Sequence, residues 1–168
     1  TQSRSSAASD VYKRQLHIIA VSQKQDPWVE DASNEYIKRF GIDYALVLKM
    51  IKPAKRKEGR KIASLLIEEE QKIKAALPHR TRLVVMDETG RAMNSMAFAK
   101  LLQYWGQQSL DPCFIIGSAD GVSENLKKQS TLLQLSEFSL PHGLAKVILI
   151  EQLYRAVSII KGLPYHRS

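Results

Sequence analysis

The chain has 168 residues, enough for one domain, and its 44% hydrophobic and 25% charged residues are ordinary for a globular protein. No apolar run approaches the ~20 residues of a membrane-spanning helix, and the one cysteine, Cys113, excludes an internal disulfide scaffold. The formal net charge of +8 favours a polyanionic partner, most commonly nucleic acid, over a merely basic globular protein. We expect a cytoplasmic protein with no membrane contact. The four scattered histidines give no metal-ligand spacing, so no metal is expected.

The first fifteen residues differ in character from the rest of the chain. They are rich in Ser, lack an initiating Met and show no apolar periodicity. We expect residues 1–15 to be a disordered or non-native leader, and residues 16–168 to form a single domain.

Strand-like and helix-like patterns then alternate. In chain order the predicted elements are a strand (16–22), a helix opening at Asp26-Pro27 and ending at Gly41, a strand (44–51), a helix (58–77), a strand (83–86), a helix (95–107), a strand (113–116), a strand-like segment (132–140) and a helix (143–161). Alternation of near-continuous apolar strands with helices predicts an α/β fold, with a mostly parallel sheet covered by helices on both faces.

Ligands of such folds bind at the carboxyl ends of the strands, which here are the loops after Met86, Ile116 and Leu140. Gly117 would let a ligand approach the backbone closely; an ordinary strand-to-helix turn is the alternative. Pro141 lacks an N–H, so the segment before it would leave main-chain groups available to a flat ligand such as adenine. An irregular strand end is the alternative there.

The last predicted helix is apolar over an arc much wider than the ~100° stripe of a surface helix. One face packs on the sheet and the other needs a cover, so we infer a homodimer; a central helix buried inside the monomer is the alternative. His142 precedes this helix and either touches a substrate or serves in capping and packing.

Six cations cluster between the second strand and the following helix: Lys52, Lys55, Arg56, Lys57, Arg60 and Lys61. Positive charge at a helix N-terminus opposes the macrodipole, so contact with phosphate is the natural role, and a solvated mobile loop is the alternative. The chain end, Tyr165-His166-Arg167, offers an aromatic ring to stack on a base and a cation for phosphate, unless it is a frayed tail.

Several segments, in fixed order, resemble one family. They are Ala20-Val21, Trp28, the run from Glu35-Tyr36 to Arg39-Phe40, Met86-Asp87 with Gly90, Phe114-Ile115-Ile116-Gly117, Leu140-Pro141-His142, Glu151-Gln152-Leu153-Tyr154-Arg155-Ala156 and Tyr165-His166-Arg167. From Leu16 to Arg167 the chain resembles the ribosomal RNA large subunit methyltransferase H family, minimal members of the SPOUT (α/β-knot) methyltransferases.

The resemblance implies a trefoil knot at the C-terminal end, a homodimer, and S-adenosylmethionine as the methyl donor without a metal. It implies methylation at N3 of a pseudouridine in 23S ribosomal RNA, on the assembled ribosome, with the RNA reached across the dimer by the other chain's tail. The implied cofactor contacts are Met86, Gly117, Leu135, Ser136, Glu137, Phe138, Ser139 and Leu140. Candidates for positioning the substrate are His142, Arg155, Tyr165, His166 and Arg167; no residue is identified as the general base.

Two residues depart from the family pattern: Ser118 stands where a second Gly is usual, and Lys146 stands where Arg is frequent. The first reduces the backbone room beside the methyl donor, and the second keeps the charge without bidentate geometry. A non-catalytic RNA-binding dimer of the same fold is the main alternative function. A small-ligand α/β binding module is a third.

Overall fold

A computed structural model describes residues 13–166 of the chain, and these form one five-stranded sheet with five helices. The elements are β1 (Arg14–Val21), α1 (Pro27–Ile37), β2 (Tyr44–Ile51), α2 (Ile62–Ala76), β3 (Thr81–Ala92), α3 (Ser95–Gln107), β4 (Asp111–Ile116), α4 (Glu124–Lys128), β5 (Thr131–Gln134) and α5 (His142–Lys161). The strand order is β2-β1-β4-β3-β5, and every pairing is parallel. The α/β class with a parallel sheet is thereby confirmed.

The two faces of the sheet carry two separate apolar cores. Successive residues of a strand point to opposite faces, so Ile18 of β1 packs with α3 and α5, while Ile19 packs with α2 and α4. Burial on both faces explains why the central strands read as continuous apolar runs. The predicted cover of helices on both faces is confirmed.

The long last helix, α5, packs against α1 and α3 over one face of the sheet. Leu149, Ile150 and Leu153 are fully buried there. Leu144, Val147 and Ile148, on the flank of the same apolar arc, are only partly covered. The chain's own helices therefore cover much of the arc, as the central-helix alternative requires, and an apolar flank remains at the surface.

Several boundaries differ from the predicted ones. β1 begins at Arg14 and not at residue 16, so Arg14 and Gln15 lie in the sheet; residues 1–12 of the predicted leader lie outside the described residues. α1 ends at Ile37 rather than near Gly41, because the N–H groups of Arg39 and Phe40 bond carbonyls three residues back and tighten the chain out of the α-helix. α2 begins at Ile62, after a turn over residues 57–60, and not at residue 58.

The largest difference concerns the two strands β3 and β5. β5 stops at Gln134, and residues 135–140 form a loop instead of strand. β3 continues to Ala92, and Leu133 of β5 is paired with both Met86 and Arg91, so residues 87–90 bulge out of the ladder. A Cβ on Gly90 would lie 2.5 Å from the carbonyl carbon of Leu133. Glycine is therefore required where the two strands make their closest approach.

Candidate functional site at the carboxyl edge of the sheet

A cavity of about 420 Å³ opens beside the bulge of β3 and the carboxyl ends of β4 and β5. Its walls are the bulge that begins at Met86, the turn after Ile116, the loop after Gln134, and the first turn of α5. The volume lies in the ordinary range of small-molecule sites. Topology thus brings together three loops that are far apart in sequence, at the edge where parallel sheets bind ligands.

All eight residues proposed to contact a cofactor line this cavity: Met86, Gly117, Leu135, Ser136, Glu137, Phe138, Ser139 and Leu140. Met86 and Ile116 are register partners, so the end of β4 lies beside the point where the β3 bulge begins. His142 lines the same cavity, whereas Arg155, Tyr165 and His166 do not. Arg167 lies outside the described residues.

The turn after β4 closes tightly on itself. The Gly121 N–H donates to the Ser118 carbonyl at 2.8 Å. A Cβ on Gly117 would lie 2.5 Å from the Gly121 carbonyl oxygen, closer than real contacts allow. The absent side chain at Gly117 is therefore needed by the turn itself, before any ligand is considered.

The loop after β5 leaves most of its main chain unpaired. Within the described chain, the main chain of residues 136–140 makes one hydrogen bond, from the Phe138 N–H to the Ser136 hydroxyl oxygen at 2.9 Å. The Phe138 side chain is 85% exposed. A wall with several unpaired N–H and C=O groups is suited to bind a planar heterocycle through its edge.

His142 carries an unpaired polar atom in the cavity wall. Its Nδ1 atom is buried and has no hydrogen-bond partner among the described residues. The N-terminus of α5 has no side-chain cap, so the capping alternative for His142 is not what the structure shows. A buried nitrogen without a partner beside a cavity is suited to accept a hydrogen bond from, or donate one to, a ligand.

An ion pair across the cavity wall ties the β3 bulge to α4. Lys127 Nζ lies 3.1 Å from Asp87 Oδ1, and both residues line the cavity. Burial disfavours the charged form of Asp87, but hydrogen bonds from Thr89 and Lys127 outweigh it and hold the pKa of Asp87 below its usual value. The bulge therefore presents a carboxylate that stays ionised at neutral pH.

The hydroxyl of Ser118 is directed to α2. It donates to Glu69 Oε2 at 2.6 Å and accepts from Arg56 Nη2 at 2.8 Å. Replacing the usual glycine by Ser118 therefore introduces a hydrogen-bonded contact between the turn and α2. Lys146, the other departure, is 3% exposed, with Met50 Sδ 3.9 Å from its Nζ, and burial lowers its pKa.

The candidate substrate residues near the chain end form a second cluster on α5. Arg155 Nη2 lies 2.6 Å from Glu151 Oε1, and the Tyr165 hydroxyl donates to the same oxygen at 3.1 Å. Burial, together with the hydrogen bond to the Glu151 carboxylate, raises the pKa of Tyr165 to about 12. Tyr165 also packs edge-on against Tyr154 with ring centroids 4.7 Å apart. As far as His166, the chain end is thus packed, and the frayed-tail alternative is wrong there.

This second cluster is distant from the cavity within one chain. Nine to thirteen residues of α5 separate His142 from Glu151 and Arg155, which is ~14–20 Å along the helix axis at ~1.5 Å per residue. His166, whose Nδ1 atom is buried without a partner in the described chain, belongs to the same end. Tyr165 and His166 therefore do not reach the cavity of their own chain.

The basic cluster divides into two groups. Arg56 pairs with Glu69 and Asp120, and Arg60 pairs with Glu68, so these two arginines serve to hold the loop. In the described structure the side chains of four lysines in this cluster form no ion pair and are exposed: Lys52, Lys55, Lys57 and Lys61. In the sequence, the acidic run Glu68-Glu69-Glu70 in the following predicted helix is the feature that could have indicated ion-pair partners for these arginines.

Cys113 is fully buried in β4. Burial raises its pKa to about 12, so it acts as a small hydrophobic core residue. Residues 13–166 contain no group of three or more His, Cys, Asp or Glu side chains that could hold a metal ion. Over the same residues, no helix is both long and apolar enough to cross a bilayer.

Comparison with known proteins agrees with the geometry of the cavity. Residues 14–166 match the family model described as "Predicted SPOUT methyltransferase". The chain is 47% identical over 154 residues to the ribosomal RNA large subunit methyltransferase H of Neisseria meningitidis, 46% identical to that of Chromobacterium violaceum and 45% to that of Burkholderia lata. Each alignment covers 91% of this chain and 99% of the relative. The resemblance drawn from the motifs is therefore confirmed, and the chain belongs to the SPOUT methyltransferase family.

Proposed function

We propose that the chain transfers a methyl group from S-adenosylmethionine to N3 of a pseudouridine in 23S ribosomal RNA, on the assembled ribosome in the cytoplasm. The relatives named above are ribosomal RNA large subunit methyltransferases, and the chain aligns with 99% of the length of each. The observation that carries the proposal is the convergence of all eight expected cofactor residues on one cavity.

The residues of the cavity fit this cofactor. The unpaired main chain of residues 136–140 suits the adenine edge, and Leu135 and Leu140 supply apolar contact beside it. Met86 and Gly117 border the part of the cavity where the β3 bulge begins and β4 ends. When bound, S-adenosylmethionine supplies an electrophilic methyl group on a sulfonium.

The protein's contribution to the reaction is alignment and control of one proton. N3 of the nucleotide carries a proton, and that proton must leave before or during attack on the methyl carbon. We assign the positioning of the nucleobase to His142, which lines the cavity and whose Nδ1 atom has no partner in the described chain. Asp87, ionised and tied to Lys127, borders the same space.

We further propose that the active unit is a knotted homodimer in which the tail of one chain serves the cavity of the other. Tyr165 is bound to Glu151, ~14 Å along α5 from His142 in the cavity wall, so we infer that a second copy supplies the tail residues to the cavity. The partly exposed apolar flank of α5, with Leu144, Val147 and Ile148, offers surface for that copy.

The exposed lysines of the loop 52–61 supply phosphate contacts to the ribosome. Four lysines without a carboxylate partner in the described chain belong to the same basic cluster as Arg56, which contacts Ser118 in the turn that borders the cavity. Binding that depends on such contacts weakens steeply with salt, because counterions are released from the nucleic acid. We therefore expect affinity for ribosomes, and not affinity for the cofactor, to fall with ionic strength.

Two measurements on the full chain test the proposal. Titration calorimetry should show saturable S-adenosylmethionine binding, and labelled methyl transfer should be seen with ribosomes from a strain lacking this methylation. Deleting residues 165–168 should reduce transfer while cofactor affinity stays unchanged. Cofactor binding and ribosome binding without transfer would favour the non-catalytic RNA-binding dimer. Absence of cofactor binding by the wild-type chain would overturn the enzyme assignment.

A further inference from the structure

A buried carboxylate on α2 organises one side of the cavity. Glu69 is 2% exposed, and both of its oxygens are occupied. Oε1 accepts from the Ala54 N–H at 2.9 Å and from Arg56 Nη1 at 2.6 Å, and Oε2 accepts from the Ser118 hydroxyl at 2.6 Å. Ser118 is the only donor to Oε2 within the described structure.

Arg56 completes the network and bridges two loops. Its guanidinium donates to the Ala54 carbonyl at 2.8 Å within its own loop, and to Ser118 Oγ at 2.8 Å and Asp120 Oδ2 at 3.0 Å in the turn after β4. Ser118 and Asp120 both line the cavity, whereas Glu69 and Arg56 do not. The basic loop and the cavity turn are therefore joined through one carboxylate and one guanidinium.

We propose that Ser118 is a positioning residue for the methyl donor. Through its hydrogen bonds with Glu69 and Arg56, it holds the turn after β4 in the shape that receives the cofactor and fixes the position of that turn relative to the basic loop. This inference rests on the proposed function, which supplies the identity of the ligand. The inference gives a role to Ser118, the turn residue that replaces the glycine usual in the family. The hydroxyl acts through the turn and does not touch the reacting atoms.

The physical basis is the unequal energy of made and unmade hydrogen bonds. A buried carboxylate oxygen that loses its donor is penalised by desolvation, and hydrogen bonds to charged groups are stronger than neutral ones. With alanine at position 118, the turn loses its contact with Glu69 Oε2, and conformations that hydrate the carboxylate become populated. Apparent ligand affinity falls in proportion to the fraction of molecules in the binding shape. We expect a decrease of about tenfold.

The chain contains a matched control one residue away on α2. Glu70 also accepts a serine hydroxyl, from Ser123 at 2.6 Å, and is 7% exposed. Neither Glu70 nor Ser123 lines the cavity. Glu69→Gln and Glu70→Gln therefore remove equivalent buried charges from the same helix, and only the first disturbs the cavity turn.

The experiment compares wild type, Ser118→Ala, Glu69→Gln and Glu70→Gln. S-adenosylmethionine affinity is measured by calorimetry, and methyl transfer to ribosomes is measured over a range of cofactor concentrations. Urea unfolding reports stability separately. Ser118→Ala and Glu69→Gln should raise the cofactor Kd and KM by about tenfold and leave kcat at saturating cofactor near wild type. Glu70→Gln should lower stability without moving either constant.

Two results would overturn the inference while the proposed function stands. The first is an active wild type whose Ser118→Ala or Ser118→Gly variant keeps the wild-type cofactor KM. The second is a loss of kcat in Ser118→Ala at every cofactor concentration with KM unchanged, which is the behaviour of a merely structural role. A wild type that neither binds nor uses the cofactor would instead refute the proposed function, so the two failures are distinguishable.

Discussion

Substituting Gly117 by alanine is the most direct probe of the cavity turn. The added Cβ would lie 2.5 Å from the Gly121 carbonyl oxygen, 2.6 Å from its carbonyl carbon and 2.8 Å from Val122 Cγ1. Two of these three neighbours are backbone atoms, which cannot turn aside as a flexible side chain does. The turn must move by about 1 Å to restore ordinary van der Waals separation.

An overpacked site of this kind costs about 1–3 kcal/mol. If the turn opens to relieve the overlap, that energy appears as weaker cofactor binding, by about tenfold to a hundredfold. If the turn stays closed, the same energy appears as lost stability. We therefore expect Gly117→Ala to lower the sum of two free energies, that of cofactor binding and that of unfolding. Calorimetry with S-adenosylmethionine measures the first, and urea unfolding measures the second.

Gly41 provides the control, since the atom nearest to a Cβ added there would be Lys161 Nζ at 3.5 Å, an ordinary contact with a flexible side chain. Gly41→Ala should change neither stability nor cofactor affinity by more than about 0.5 kcal/mol. A Gly117→Ala protein with wild-type unfolding and wild-type affinity would show that the turn has room, and the reasoning from these distances would be wrong.

Two further predictions concern buried groups outside the cavity. Hydrogen bonds from Lys74, Ser123 and Asn125 hold the pKa of Glu70 below its ordinary 4.5, so its stabilising effect is complete above about pH 4.5 and is lost as the pH falls through the lower folded-state pKa. Urea unfolding should show wild type losing stability over that acid range more steeply than Glu70→Gln; equal slopes would contradict the assignment. Cys113, with its pKa raised to about 12 by burial, should resist iodoacetamide in the folded chain and react in urea, and rapid native labelling would show that the strand opens.

Local patterns predict the elements well where one physical signal dominates. β2 over Tyr44–Ile51 and α3 over Ser95–Gln107 have the predicted bounds, and Asn94 caps α3 by accepting from the Ala97 N–H at 2.8 Å. The predicted boundaries are wrong where long-range pairing decides them. β3 runs on to Ala92 because β5 pairs with it on both sides of a bulge, and nothing local in residues 87–92 indicates that partner.

The candidate site likewise has features that the sequence predicts and features that it does not. The order of the motifs along the chain is enough to identify the family, and that resemblance implies the residues around the cavity. The role of Gly117 is predicted only in part, because the atoms that its missing side chain would meet belong to its own turn. The network of Ser118, Glu69 and Arg56 is not predicted, since Glu69 and Arg56 are 49 and 62 residues from Ser118 in sequence.

The sequence by itself determined the class of fold and the buried strands, because apolar periodicity acts over a few residues. The individual cavity residues were expected only from the resemblance to a known family. Only the tertiary structure decided which cations remain available. Lys52 and Arg56 look alike in the sequence, yet Arg56 is bound to Glu69 and Asp120 while Lys52 extends into solvent. Charge interactions depend on distance in space, and the fold alone sets that distance.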